Sequence, residues 1–228
     1  MLIQPLQDLT ELQPRFLGFQ PSEESLEYLT PLVTENHQLL TEAGWPLRLV
    51  PPDKWHVTIL WFKLLFRSER ATLWSHAQSV LRRGAWSDPD FKWRGLSVWH
   101  NWKEPELVAL AARKFPAVEV WGLEPWLTDP ICKQGRIERL ESYKPHITMM
   151  RFRKEQMGRP GVRNWKDEWR KLQPQLKPID PERIRFDRLH LYLSDFSQRP
   201  HRYVHEHTAN LPRKLRRDEA QLDFRFEN

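Results

Sequence analysis

Trp55-His56-Val57-Thr58-Ile59-Leu60 and Pro145-His146-Ile147-Thr148-Met149-Met150 are two copies of one short pattern, a His-x-Thr set among β-branched and large apolar residues, with histidines 90 positions apart. In an extended strand residues i and i+2 point the same way. His56 and Thr58 therefore share one face, and His146 and Thr148 share another. Trp55, Val57, Ile59 and Trp61 suit the buried opposite face. If the two strands sit together, two imidazoles and two hydroxyls converge on one small volume, a site for a phosphate flanked by two proton-transfer groups.

The surrounding sequence places these strands between helices. Arg15-Phe16-Leu17-Gly18-Phe19 reads as a first strand. A helix follows, with Ser22 as N-cap and Glu23 and Glu24 in its first turn. Leu26, Leu29, Val33, Leu40 and Ala43 form its apolar face, and Gly44 closes it. Pro31 is expected to divide this helix, with Thr30 as a second N-cap. Leu47 to Val50 is a short strand, Pro51-Pro52 a turn, and Trp55 to Phe62 the first motif strand. Residues 68–83 repeat the helical pattern through Ala71, Trp74, Ala77 and Leu81, ending at Gly84.

The second half reads similarly. Strands are expected at Phe91–Trp99, Leu107–Ala112 and about Lys144–Phe152, whereas Pro116, Pro125 and Pro130 break residues 116–140. Asn164 caps a helix with Asp167 three residues on and an apolar stripe of Trp165, Trp169, Leu172 and Leu176. These tryptophans read as core. Ile184-Arg185-Phe186, Leu189-His190-Leu191-Tyr192-Leu193 and Arg202–Thr208 alternate as strands. The expected architecture is α+β: two pseudo-symmetric lobes of mainly antiparallel sheet with outer helices. A central cleft carries one His-x-Thr from each lobe. Residues 1–211 make this bilobal unit and residues 212–228 a mixed-charge tail.

Composition excludes several classes. The 12 Trp and 11 Phe supply a sizeable core, and the net charge of +6 is a modest cationic excess. Six basic residues against Glu206 lie between Arg199 and Arg217, a stretch that attracts polyanions. Cys132 is alone, which rules out an intramolecular disulfide and fits a reducing compartment. No stretch approaches the roughly 20 apolar residues that span a bilayer, and Met1-Leu2-Ile3-Gln4-Pro5 lacks a signal-peptide pattern. A cytoplasmic monomer without a membrane partner is expected.

No Gly-rich phosphate loop, His-Glu-x-x-His or Cys-x-x-Cys occurs. His205-Glu206-His207 is the one local group with metal-ligand character, but two histidines on one strand need further ligands from elsewhere. It is read as structural, and neither a metal nor a cofactor is expected. What remains suits metal-free phosphoryl chemistry. One imidazole is neutral and accepts a proton while the other is charged and donates one, on opposite sides of phosphorus. The threonine hydroxyls donate to the non-bridging oxygens.

Two His-x-Thr strands, one per half, resemble the signature of the two-histidine phosphoesterase superfamily. Within it, residues 15–208 are most similar to the bacterial and archaeal 2′-5′ RNA ligase family, the RNA 2′,3′-cyclic phosphodiesterases. Val50-Pro51-Pro52-Asp53-Lys54-Trp55-His56-Val57-Thr58-Ile59 resembles the family's first motif. Tyr143-Lys144-Pro145-His146-Ile147-Thr148-Met149-Met150-Arg151 resembles its second: an aromatic, Pro-His-x-Thr, then Arg. The resemblance implies hydrolysis of RNA or nucleotide 2′,3′-cyclic phosphate to a 2′-phosphate, with reversible 2′-5′ ligation as a second activity. RNA ends or cyclic nucleotides are the implied partners. It assigns His56 as proton donor and His146 as proton acceptor, with Thr58, Thr148, Arg151 and Tyr143 on the phosphate. By strict alternation Arg151 faces away from His146, so its approach needs a bulge or a strand end. Phe62-Lys63-Leu64 departs from the family's Phe-Leu-Gly, and residues 153–178 are longer than usual. The alternative is a non-catalytic RNA- or phosphate-binding protein that keeps the two-histidine pocket.

Overall fold

Glu23–Glu42 forms one 20-residue helix, α1, although Pro31 lies inside it. The expected break at Thr30 does not occur, and the reason is the distribution of burial. Leu29, Val33 and Leu40 are fully buried on one side, whereas Pro31 and Glu27, whose carbonyl loses its helical partner, lie on the exposed side. Water can take up the orphaned carbonyl, and packing beyond Pro31 outweighs a penalty of about 3 kcal/mol for an interior proline. Ser22 caps the helix as expected, its side chain accepting from Ser25 N. Gly44 follows the helix at φ +80°, a conformation that costs glycine little.

The computed structural model describes residues 14–63, 65, 67–82, 91, 93–112, 145–158, 163–195 and 202–211. The strands are β1 (Arg15–Pro21), β2 (Leu47–Leu49), β3 (Val57–Phe62), β4 (Trp93–His100), β5 (Pro105–Ala112), β6 (His146–Phe152), β7 (Phe186–Asp195) and β8 (Arg202–Asn210). Two further helices are α2 (Arg67–Arg82) and α3 (Trp165–Leu172). Tyr143, Cys132, residues 116–140, Gly84 and the tail after Leu211 lie outside the described residues.

Among the described residues, all eight strands join one sheet in the order β4-β5-β6-β3-β1-β7-β8, with β2 also paired to β6, and every pair is antiparallel. The fold is α+β, as expected. Where the sequence pointed to two lobes, the strands form one continuous sheet, and its halves join at a single position, Val57 beside Ile147. Beyond that position β6 pairs with β2 instead.

One face of the sheet carries the core. Leu17, Phe19, Val57, Ile59, Val108, Leu110, Ile147, Met149, Leu189 and Leu191 pack with Leu29, Val33 and Leu40 of α1 and Leu73, Ala77 and Val80 of α2. Ala71 is exposed, so the buried face of α2 is rotated from the one read in the sequence, toward Leu73 and Val80. Asn164 caps α3 by accepting from Asp167 N, and Trp165 and Trp169 pack on Trp45 at 5.2 and 5.7 Å. Those tryptophans are core. Leu176 falls beyond α3, which ends at Leu172.

Candidate active site

The opposite face of the sheet carries the paired motifs. Residues 55–62 and 145–152 have the same burial sequence: buried, half-buried, buried, half-buried, buried, buried, half-buried, buried. The half-buried positions are His56, Thr58 and Trp61 in one copy and His146, Thr148 and Arg151 in the other. Val57 pairs antiparallel with Ile147, so one step to either side sets His56 beside Thr148 and Thr58 beside His146. The two histidines are then diagonal neighbours across adjacent strands, where Cβ atoms lie about 7–8 Å apart or less. All four side chains face one small volume.

The two consecutive buried positions in each copy have a common cause. Register with β1 shifts between Leu17 and Gly18, which leaves Ile59 as an extra residue on β3. Register with β5 shifts between Val108 and Ala109, which leaves Met149 as an extra residue on β6. A bulge after each threonine thus re-aims the strand. It returns Arg151 to the histidine face, the condition that the sequence set for it, and brings Trp61 there as well, although strict alternation had placed Trp61 on the buried side.

β1, β7 and β8 complete the surroundings of His56. Phe16 lies against His56 at 4.6 Å and stacks on Tyr192 at 4.5 Å and on Trp61 at 5.6 Å. The His56 Nδ1–H donates to Lys54 O at 2.8 Å; a carbonyl only accepts, so Nδ1 carries a hydrogen. On the other copy, Trp99 of β4 lies 4.2 Å from the His146 ring. Gly18, beneath this group, is closely packed: an added Cβ would stand 3.1 Å from Val57 O and 3.3 Å from Tyr192, so its neighbours would have to give by a few tenths of an ångström.

Next to His56 lies a second imidazole pair. His190 is 2% exposed and its ring lies 4.3 Å from that of His205. Its Nε2–H donates to Gln20 Oε1 at 2.7 Å, and its Nδ1 accepts from the Thr208 hydroxyl at 2.9 Å, a pattern that fits the neutral ring. Burial, then the positive fields of His205, Arg188 and His56, lowers its pKa to about 3. Burial also lowers that of His205, with Arg188 adding to the effect and Asp53 opposing it.

His205-Glu206-His207 does not act as one group. Register between β7 and β8 shifts at Leu191/Tyr192, leaving Glu206 as the extra residue. His205 faces His190, whereas His207 turns to the helix side and stacks on Trp74 at 5.1 Å. Between them the Glu206 carboxylate accepts from Arg15 Nε at 2.8 Å, from Arg15 Nη2 at 3.1 Å and from Arg70 Nη1 at 3.2 Å. The bulge separates the histidines that a regular strand would have set on one face.

The fold has solved counterparts. TT0787 of Thermus thermophilus superposes with a TM-score of 0.56 at 18% identity, over 87% of this chain and 97% of that one. E. coli LigT complexed with 3′-AMP superposes with a TM-score of 0.51 at 16% identity, over 88% of this chain and 99% of that one. The apo form of LigT gives 0.50 at 17% identity, over 88% and 98%. This chain has the LigT fold. No protein-family model matches it, and no curated protein matches it in sequence. Phe16, Gln20, His190, Tyr192 and Tyr203 of this site were not singled out by sequence reasoning, and His205 was noted only within a His-Glu-His read as structural. For His190 and Tyr192 the signal was the second side of the alternating strand Leu189-His190-Leu191-Tyr192-Leu193, which was read only as a strand.

Proposed function

We propose that the chain is a two-histidine phosphodiesterase that opens RNA or nucleotide 2′,3′-cyclic phosphates to a 2′-phosphate without a metal ion. The register that sets His56 beside Thr148 and Thr58 beside His146 carries this reading. A cyclic phosphodiester placed over this pair meets one imidazole on each side of phosphorus. One takes a proton from water as it attacks, and the other gives a proton to the leaving ribose oxygen. Thr58 and Thr148 donate to the non-bridging oxygens, and Arg151 adds a fixed positive charge matched to phosphate. In keeping with the family resemblance, His56 is the donor and His146 the acceptor. 2′-5′ ligation is the same opening of the cyclic phosphate, with a ribose 5′ hydroxyl attacking in place of water and the 3′ oxygen leaving as before. The LigT complex with 3′-AMP supports a nucleotide in this cleft.

The test is incubation of nucleoside 2′,3′-cyclic phosphates with the protein in excess chelator, with products followed by phosphorus NMR. The reading expects turnover and a predominant 2′-phosphate. A predominant 3′-phosphate means that the substrate binds reversed or that the histidines exchange roles, and strict dependence on added metal overturns the mechanism. Binding without turnover marks a non-catalytic phosphate-binding protein.

A further inference from the structure

Tyr203 lies on β8, at the far edge of the sheet, yet it touches both halves of the site. Its ring meets His56 edge-on at 5.2 Å and 88°, and Phe16 at 5.1 Å and 81°. Its hydroxyl lies beside the Arg151 side chain of β6, within reach of a hydrogen bond. Between β6 and β8 lie β3, β1 and β7. On a flat sheet four strand spacings are about 19 Å, more than an arginine and a tyrosine side chain span together. The histidine face is therefore strongly concave, and β8 curls over it far enough to bring Tyr203 against His56.

Resting on the phosphodiesterase reading, we propose that Tyr203 is a positioning residue that holds the Arg151 guanidinium toward the phosphate and fixes the orientation of the His56 ring. Arginine carries a long, rotamer-rich side chain, and a fixed acceptor selects one of its many directions. Here the guanidinium donates and the phenol oxygen accepts, which leaves the other guanidinium N–H groups for a bound anion. The His56 ring is anchored at Nδ1 by Lys54 O and flanked by Phe16, and the Tyr203 edge adds a further restraint. Burial raises the phenol pKa and Arg151 only partly reverses this, so Tyr203 serves as a neutral hydrogen-bonding group and not as a base. A buried phenol needs a polar partner in any fold. That its partner is the one arginine which the bulge at Met149 aims into the site ties it to the chemistry.

The test is a cycle of wild type, Tyr203→Phe, Arg151→Gln and the double variant, assayed on a nucleoside 2′,3′-cyclic phosphate. Tyr203→Phe keeps the ring on His56 and deletes only the acceptor. The expected loss in kcat/KM is about tenfold, in the range of one hydrogen bond to a charged group, carried mainly by KM and with the thermal midpoint unchanged. The double variant should be no worse than Arg151→Gln. Losses that multiply, or a Tyr203→Phe enzyme with wild-type kinetics, overturn the proposal. A separate readout does not depend on turnover: inorganic phosphate is titrated while the His56 ring resonance is followed by NMR. Tyr203→Phe should weaken phosphate binding, and Tyr203→Leu should also shift the His56 resonance in the free protein. If wild type binds phosphate in this way but hydrolyses nothing, the enzymatic reading fails and the positioning role stands. If neither variant changes the titration, the positioning role fails whatever the activity.

Discussion

Acid should destabilise this fold chiefly through His190, whose pKa is lowered furthest. Its pKa of about 3, against an ordinary 6.5, means that the folded protein keeps this ring neutral where the unfolded chain protonates it. Below pH 6.5 the unfolded state binds the extra proton, so stability falls as pH falls. The group's contribution is complete above pH 6.5 and gone near pH 3. The slope approaches 1.4 kcal/mol per pH unit, so the two units from pH 6.5 to 4.5 should remove about 2–3 kcal/mol through this ring alone. Near-complete burial leaves little solvent screening to reduce the figure, and the hydrogen bonds to Gln20 and Thr208 explain why the neutral form is held. Carboxylates titrate at the acid end of this range, so the comparison needs a partner protein without the ring. Urea unfolding of wild type and His190→Gln at several pH values isolates the difference. Wild type should lose about 2–3 kcal/mol more than the variant between pH 6.5 and 4.5. Parallel curves would refute the reasoning.

Glu206 compensates the fully buried Arg15 and bonds Arg70, tying β8 to β1 and α2. Glu206→Ala removes the carboxylate that takes two hydrogen bonds from a buried guanidinium, and chemical denaturation should report a loss of about 3 kcal/mol. Because this tie helps to seat β8, phosphate affinity should fall as well. Gly18→Ala pushes on Val57 O, between His56 and Thr58, and on Tyr192. It should cost about 1–2 kcal/mol by overpacking, with turnover reduced beyond what the stability loss explains. Thr58→Ala and Thr148→Ala should each lower kcat/KM by about one charge-assisted hydrogen bond, a smaller effect than loss of either histidine.

The central strands were legible because two physical signals agreed there. Alternation in Trp55–Ile59 and Pro145–Met149 marked a polar side and an apolar side, and the polar side of both copies held the same residues. The bulges at Ile59 and Met149 were less visible, since an extra residue follows from mismatch with β1 and β5 and not from the motif itself. Only the demand that Arg151 reach the phosphate pointed to one. Pro31 was misread because local backbone preference was weighed without the burial of Leu29, Val33 and Leu40. His205 and His207 look equivalent in a regular strand, and the bulge at Glu206 separates them. Tyr203 was beyond reach: its position over His56 depends on the curl of the whole sheet, a property of strand twist summed across β3, β1 and β7.

The most direct measurement compares single-turnover hydrolysis of a nucleoside 2′,3′-cyclic phosphate by wild type, His56→Ala, His146→Ala and the double variant, at matched stability. General acid and general base catalysis each contribute about 10²–10⁴-fold, and groups that act in one step do not add independently. Each single variant should lose most of the activity, and the double variant should be little worse than the slower single one. A His56→Ala or His146→Ala protein that turns over at close to the wild-type rate would contradict the claim that the two motifs form one site.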